Sequence, residues 1–245
     1  MIYLGSKIKI TKYIIPIMQK IIDDNNIENY IEPFVGGANV IDKIKCKNRI
    51  GSDINRYLIA LFNNLDKLKT MPDFITKEEY YDVKKSMLNN DGKYEDWYIG
   101  AVGFIYTYFG KFFIAGYVGN RGLNNGDRKY YIEHINNLQN QIPNLKNIIF
   151  KNLDYRELDF PSNSLIYCDI PYLNTTKYFM YDNFDYDYFW EWVREKSKNN
   201  IVIISEQTAP DDFKAIWQQK INNGFSKKNE KLFVKENNYE RVFNK

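Results

Sequence analysis

The 245-residue sequence is poor in the side chains that build disulfide frameworks and soft metal sites. It holds two cysteines, Cys46 and Cys168, and one histidine, His134. A disulfide framework needs several cysteine pairs in a short secreted chain, and these two cysteines lie far apart in sequence. So few thiols and imidazoles also leave little from which zinc or transition-metal sites are made. We therefore expect a reducing compartment and chemistry without a bound metal.

Long apolar runs and a large excess of charge are also missing. No stretch approaches the ~20 apolar residues that span a bilayer, and Lys7, Lys9 and Lys12 interrupt any signal-peptide core. The 34 basic and 31 acidic residues leave a formal charge of +3, which neither indicates nor excludes a polyanionic partner. We expect no membrane insertion and a cytoplasmic location.

Apolar and aromatic residues, in contrast, are plentiful. They make up 44% and 17% of the chain, which is enough for a packed interior and excludes disordered and collagen-like classes. At roughly 150 residues per domain, the length favours one full core with a modest insertion.

Apolar runs and helical patterns alternate as they do in a parallel α/β fold. Residues 28–34 and 48–54 are predicted strands, and a glycine pair opens a predicted helix over 36–44 between them. Residues 55–68 carry apolar side chains at helical spacing, which is typical of a helix packed on a sheet. Further along, we predict strands at 147–150, 164–170 and 200–207, a helix from Tyr186, and an antiparallel pair formed by 214–219 and 231–237.

The middle of the chain breaks this alternation. Between residues 71 and 143 aromatic residues crowd together and glycines recur, with a turn signal at 124–126. We predict that residues 71–143 form an insertion and that residues 1–70 and 144–245 form the main domain.

The first strand ends in a turn suited to ligand binding. Residues 32–39 read EPFVGGAN, and glycines at such a turn let a ligand approach the backbone. The next predicted strand ends in Asp53, a position where α/β folds accept hydrogen bonds from ribose hydroxyls. Together these features indicate an adenosine-bearing ligand. Two alternatives stay open, an ordinary strand-to-helix turn and Asp53 as the cap of the following helix.

The tetrapeptide Asp169-Ile170-Pro171-Tyr172 follows an apolar strand. It joins a carboxylate, a stiffened turn and an aromatic ring at the carboxyl edge of the predicted sheet. The Asp169 carboxylate and the Ile170 carbonyl can each accept a hydrogen bond from an amino group, while Tyr172 stacks on a planar base. The alternative is an ordinary strand-to-loop turn with a capping aspartate.

Four short motifs, taken in order, resemble the Dam-like family of DNA adenine methyltransferases. They are Tyr3-Leu4-Gly5-Ser6-Lys7, the EPFVGGANV turn at 32–40, Asp53-Ile54-Asn55, and the DIPY tetrapeptide at 169–172. The resemblance implies an α/β, S-adenosylmethionine-dependent methyltransferase fold, with a mixed, mostly parallel seven-stranded sheet, helices on both faces and a small helical target-recognition insertion. The motifs depart from the family pattern at Ile170, where proline is common, and at Ala38, where glycine is common.

The resemblance also implies which residues act. S-adenosylmethionine is the expected methyl donor, and Asp169 faces both the donor and the target amino group. The implied catalytic residues are Asp169, Ile170, Pro171 and Tyr172, and the implied donor-binding residues are Tyr3, Lys7, Glu32, Phe34, Gly36, Asp53, Asp154, Tyr155 and Asp169.

The expected partner is double-stranded DNA, from which the target adenine is rotated out of the stack. The candidate DNA contacts, all in the predicted insertion, are Lys111, Asn120, Arg121, Arg128 and Lys129. The aromatic residues there have a second interpretation as the core of a small helical subdomain, and the charges as a solvated face. We interpret His134 as a surface or hydrogen-bonded structural histidine.

Two other functions fit the same residues. The acceptor pair at 169–170 also suits the 4-amino group of cytosine. A non-catalytic module that binds DNA or S-adenosylmethionine is the other alternative, although a decayed site has no reason to retain Lys7, Asp53, Asp169 and Tyr172 together.

Overall fold

The computed structural model of the chain describes residues 1–119, 129–171, 184–222 and 227–243. Within these ranges the α-helices are α1 (Thr11–Asp24), α2 (Arg56–Asn63), α3 (Lys77–Asn89), α4 (Asp96–Ile105), α5 (Tyr130–Leu145), α6 (Tyr186–Lys196) and α7 (Glu236–Phe243). Short 3-10 helices cover Lys7–Lys9, Ile41–Lys43, Leu65–Thr70 and Tyr108–Gly110. None of the helices in the described ranges combines the length and apolar character needed to cross a bilayer.

The strands of the described residues form one mixed sheet. They are β1 (Asn29–Glu32), β2 (Asn48–Ser52), β3 (Ile148–Lys151), β4 (Ser164–Asp169), β5 (Ile201–Glu206), β6 (Phe213–Asn222) and β7 (Lys227–Lys235). Their order is β3-β2-β1-β4-β5-β7-β6, parallel except at β7, which runs antiparallel to both β5 and β6. The predicted seven-stranded, mostly parallel α/β sheet and its closing antiparallel pair are confirmed.

The central strands are apolar on both faces because both faces are covered. Residues 165–168 of β4 and 201–204 of β5 are at most 1% exposed, which matches the near-continuous apolar runs of buried parallel strands. One apolar cluster on the first face joins α1 and α4 to the sheet, and a second cluster on the other face includes α6.

The predicted helix over 36–44 is wrong. After β1 the chain makes successive turns and then only the 3-10 helix Ile41–Lys43. Gly36 and Ala38 have φ values of +46° and +54°, and left-handed residues so close together cannot continue a right-handed helix. The side-chain amide of Gln141 on α5 holds this turn by donating to the carbonyl oxygens of Gly37 and Ala38 at 3.2 and 3.0 Å.

The helix predicted over 55–68 is shorter than expected. α2 ends at Asn63, and the 3-10 helix Leu65–Thr70 follows it. Asn64 breaks the helix with a φ of −132°, and its side-chain amide donates to the Ala60 carbonyl at 2.9 Å. Asparagine competes with helical backbone bonds in this way.

The first part of the predicted insertion packs directly on the main body. A Cβ on Gly100 would lie 2.1 Å from the Tyr57 carbonyl oxygen, so glycine is what allows α4 to approach α2. Phe104, Phe112 and Phe113 are buried in the same apolar cluster as α1 and β1. These aromatic residues therefore contribute to the main core, which corrects their interpretation as the core of a separate subdomain.

Candidate active site

A cavity of about 1110 Å³ opens at the carboxyl ends of β1, β2 and β4. Its wall includes these predicted site residues: Tyr3, Lys7, Glu32, Phe34, Gly36, Asp53, Lys111, Asp169, Ile170 and Pro171. Residues from all four sequence motifs therefore line one cavity.

Lys7 enters this cavity from the N-terminal segment. It opens the 3-10 helix Lys7–Lys9, which Ser6 caps by accepting a hydrogen bond from the Ile8 amide at 3.3 Å. The Asn39 side chain donates to the Ser6 hydroxyl at 2.9 Å and so ties the segment to the turn after β1. This arrangement buries the Lys7 side chain, which is only 6% exposed.

The ammonium group of Lys7 lies between two carboxylates. Its Nζ is 3.0 Å from Oδ1 of Asp169 on β4 and 3.4 Å from Oε2 of Glu230 on β7. Burial alone would lower the pKa of Lys7, but Asp169, the Tyr167 phenol and Glu230 raise it above its usual value. Lys7 is therefore a fixed cation in this site.

Asp169 shows the opposite balance. Burial raises the pKa of its carboxyl, the neighbouring Lys7 lowers it only in part, and Glu230 raises it further. The net result is a pKa above the usual value for an aspartate. Its carboxylate is a stronger proton acceptor than an exposed one, and its side chain keeps 24% of its surface open.

A third carboxyl group, that of Glu32, lies deeper beneath the cavity. It is 3% exposed and accepts a hydrogen bond from the Tyr30 hydroxyl at 2.8 Å. Burial raises the pKa of Glu32 well above its usual value, the Tyr30 bond opposes this, and Asp42 and Asp169 add to the rise. These surroundings favour the neutral form of Glu32.

Asp53 joins the two turns that follow β1 and β2. Its Oδ2 accepts from the Gly36 amide at 3.2 Å, and its Oδ1 accepts from the Asn55 amide at 2.9 Å. The cap of α2 is Asn55, whose side chain accepts from the amides of Tyr57 and Leu58. The alternative interpretation of Asp53 as the helix cap is therefore wrong.

Phe34 forms an aromatic part of the wall and is supported from behind. The Tyr155 ring lies 5.2 Å from it and is buried, while Asp154 is held by Arg156 at 2.7 and 2.9 Å. Burial alone would raise the pKa of Asp154, but Arg156 lowers it below its usual value. Neither Asp154 nor Tyr155 belongs to the cavity wall. In this structure Tyr155 instead packs against Phe34 from behind.

The end of β4 shapes the mouth of the cavity. Ile170 is 3% exposed, and the Pro171 carbonyl accepts a hydrogen bond from the Tyr186 hydroxyl at 2.7 Å.

Of the other predicted site residues, Lys129 is exposed immediately before α5. Those that lie outside the described residues are Asn120, Arg121, Arg128 and Tyr172.

His134 is a hydrogen-bonded structural histidine, as predicted. It is 5% exposed, its Nδ1 lies 2.7 Å from the Ile105 carbonyl oxygen, and burial lowers its pKa.

Across the described ranges, no group of three or more His, Cys, Asp or Glu side chains has a geometry that could hold a metal ion.

Sequence reasoning missed Glu230 and Tyr167 on the cavity wall. A signal for Glu230 exists, because it stands two residues before Leu232 and four before Val234. Alternate residues of a strand share a face, and Leu232 and Val234 are fully buried. A glutamate in that register indicates a buried carboxylate that needs a partner.

Comparisons with known proteins agree with the motifs. The chain is 28% identical over 193 residues to the modification methylase StsI of Streptococcus sanguinis, a match that covers 71% of this chain and 28% of that protein. The chain therefore spans little more than a quarter of this relative's length.

Two solved structures of the rRNA methyltransferase aviRa from Streptomyces viridochromogenes are also similar to the chain. Each is 10% identical with a TM-score of 0.45, and the alignments cover 99% of this chain and 89% or 88% of that one. The family model described as D12 class N6 adenine-specific DNA methyltransferase matches residues 3–230. With nearly the whole chain matched, the protein belongs to the D12 class N6 adenine-specific DNA methyltransferase family.

Proposed function

We propose that this chain transfers a methyl group from S-adenosylmethionine to the exocyclic 6-amino group of adenine in double-stranded DNA. The observation that carries the proposal is the placement of Asp169. Its carboxylate lies on the wall of the same cavity as the Gly36 turn and Asp53. An acceptor for an amino group thus shares one space with a turn suited to an adenosine-bearing ligand.

The cavity supports this choice of donor in size and in charge. Its volume of about 1110 Å³ is slightly above the roughly 300–1,000 Å³ of small-molecule sites, which leaves room for a donor and a base. The Asp169 carboxylate lies on the cavity wall and keeps part of its surface open, so it can also face a cationic ligand. When bound, S-adenosylmethionine supplies an electrophilic methyl group on a positively charged sulfur.

The glycine pair supports the donor site independently. A Cβ on Gly37 would lie 2.6 Å from Nδ2 of Asn39 and 2.7 Å from Cβ of Tyr3. Both contacts are closer than real Cβ atoms allow, so the turn fits under Tyr3 only without side chains. We infer that Tyr3, Gly36 and Asp53 hold the donor, with the Asp53 carboxylate toward its ribose.

The Gly37→Ala variant tests this arrangement without an activity assay. The added methyl group must displace Tyr3. We therefore expect the dissociation constant for S-adenosylmethionine, measured by calorimetry, to rise about tenfold. The free energy of unfolding should fall by about 1–3 kcal/mol. The matched control is Gly92→Ala, where φ is +69° and no atom lies within 4 Å. It is expected to lose a similar ~1–2 kcal/mol through backbone strain and to bind the donor as the wild type does. Equal donor affinity in the two variants would contradict the proposed site.

The chemistry assigned to Asp169 follows from the electronic structure of adenine. The lone pair of the amino nitrogen is delocalised into the ring, and a carboxylate is too weak a base to remove a proton beforehand. By accepting hydrogen bonds from the amino group, Asp169 and the Ile170 carbonyl allow the nitrogen to become pyramidal. Asp169 also stabilises the positive charge that develops on the nitrogen as it attacks. The nitrogen gives up its proton late, after the bond to the methyl carbon has formed, and the Asp169 carboxylate is the group placed to accept it.

The target base must leave the duplex to reach this cavity. Rotating it out costs a few kcal/mol, and we infer that stacking on Tyr172 recovers part of this cost. We assign recognition of the DNA sequence to residues 71–143, with Lys111 at the cavity wall. The further proposed contacts are Asn120, Arg121, Arg128 and Lys129. This substrate would place the enzyme in the cytoplasm of a bacterial or phage-infected cell.

The decisive experiment is a methylation assay on mixed-sequence duplex DNA with labelled S-adenosylmethionine and a chelator. Nucleoside digestion and mass spectrometry should find N6-methyladenine. Finding 4-methylcytosine instead would establish the cytosine alternative. Donor binding without any transfer would establish the non-catalytic alternative. Sequencing of the methylated positions then gives the recognition sequence.

A further inference from the structure

The ion pair between Lys7 and Glu230 joins the N-terminal motif to β7, and Glu230 lies outside the motifs that define the family resemblance. The Nζ–Oε2 distance is 3.4 Å, and the two side chains are 6% and 10% exposed. Asp169 shares the same ammonium at 3.0 Å. A buried ion pair requires close geometry to offset its desolvation. Glu230 is therefore not one of the exposed charges that only keep a protein soluble, and its position calls for another explanation.

The strand register puts the two carboxylates on one face of the sheet. Asp169 of β4 is paired with Ser205 of β5, and Ser205 is paired with Leu232 of β7. Paired residues share a face, as do residues two apart along one strand. Glu230 therefore faces the same side of the sheet as Asp169, two strands away from it, and Lys7 contacts both.

This geometry divides the charge of Lys7 between two acceptors. An ammonium paired with Asp169 alone would engage the carboxylate that has to receive the target amino group. A second carboxylate on the far side attracts the ammonium away from Asp169. Charge-assisted hydrogen bonds are strong enough for such competition to change acceptor strength.

We propose that Glu230 is a positioning residue that draws the Lys7 ammonium toward β7 and so keeps Asp169 available to the target amino group. The inference rests on the proposed methyl transfer, and Glu230 acts only through Lys7 and the electrostatic field at Asp169. Because it does not touch the reacting atoms, its removal is expected to affect the rate much more than the binding of either substrate.

The test is the Glu230→Gln variant, which keeps the size of the side chain and removes its charge. We expect kcat for methyl transfer to fall about tenfold, with the KM values for donor and DNA within twofold of the wild type. Lys7 would then pair fully with Asp169, whose carboxylate becomes a weaker acceptor.

The pH profile supplies a readout that a structural defect would not change. Glu230 raises the pKa of Asp169, so its loss should move the acid limb of kcat/KM to lower pH. The titratable groups that interact with Asp169 or Glu230 include Lys7 from the N-terminal segment, Glu32 from β1 and Cys168 from β4, and the Tyr167 phenol acts on the same Lys7 ammonium. All of them remain in the variant.

Two further variants keep the test decisive. Glu240→Gln, on the exposed side of α7, removes the same charge far from the site and should match the wild type. Glu230→Met has similar length without a buried polar group, and it should show the same shift of the limb if Glu230→Gln does not fold. A folded Glu230 variant with the kcat of Glu240→Gln, or with a lower kcat and an unmoved limb, overturns the inference. An inactive wild type would instead refute the proposed function.

Discussion

Replacing Asp169 with alanine is expected to lower kcat for methyl transfer by about 10²–10³-fold, the loss typical when a preorganised group that stabilises transition-state charge is removed. The amino nitrogen would lose its carboxylate acceptor while positive charge develops on it. Affinity for duplex DNA, measured by fluorescence anisotropy, should change by less than about threefold, since phosphate contacts supply most of that affinity.

The fold should survive this change, because Lys7 keeps Glu230 as its partner. The matched control is Asp211→Ala, which removes an exposed carboxylate before β6 and should leave transfer unchanged. Full activity of Asp169→Ala in a chain that shows N6-methyladenine formation would refute the catalytic role of Asp169. The methyl transfer itself would then need another acceptor.

Replacing Lys7 with methionine is expected to destabilise the protein by about 3–5 kcal/mol at pH 7, since breaking a buried ion pair leaves uncompensated charge. Asp169 and Glu230 would face each other across the sheet without the ammonium between them. Urea unfolding at equilibrium measures the loss. Lys12→Met, at an exposed site on α1, provides the control and should stay within about 0.5 kcal/mol of the wild type.

The pH dependence of this loss has a definite sign. Lys7 lowers the pKa of Asp169, so its removal raises that pKa further above the value in the unfolded chain. A carboxyl with a raised pKa in the folded state destabilises the fold when ionised, so the penalty is full from neutral pH up to about 10, the ordinary lysine value. It should shrink as the pH falls through the raised pKa and vanish near about 4, the ordinary aspartate value. A penalty independent of pH would show that Lys7 acts through packing rather than charge.

Local patterns were sufficient to predict most of the sheet. The apolar runs of β4 and β5 could be recognised because both of their faces are buried, and Asp169 could be recognised because it ends one of those runs. The helix expected after Gly36 failed for a local reason as well. Gly36 and Ala38 adopt left-handed φ values, which end a right-handed helix. Their residue types do not reveal this, because the same residues also occur at the start of a helix.

The sequence by itself determined the class of the fold, the order of its motifs and the family, because these depend on periodicity and on short strings of neighbouring residues. Only the tertiary structure decided that Lys7 is shared by Asp169 and Glu230, that Asn55 rather than Asp53 caps α2, and that Tyr155 stands behind Phe34. The physical reason is range. A charge pair between residues far apart in sequence depends on strand register and on the path of the backbone. Neither can be inferred from the few residues next to each partner.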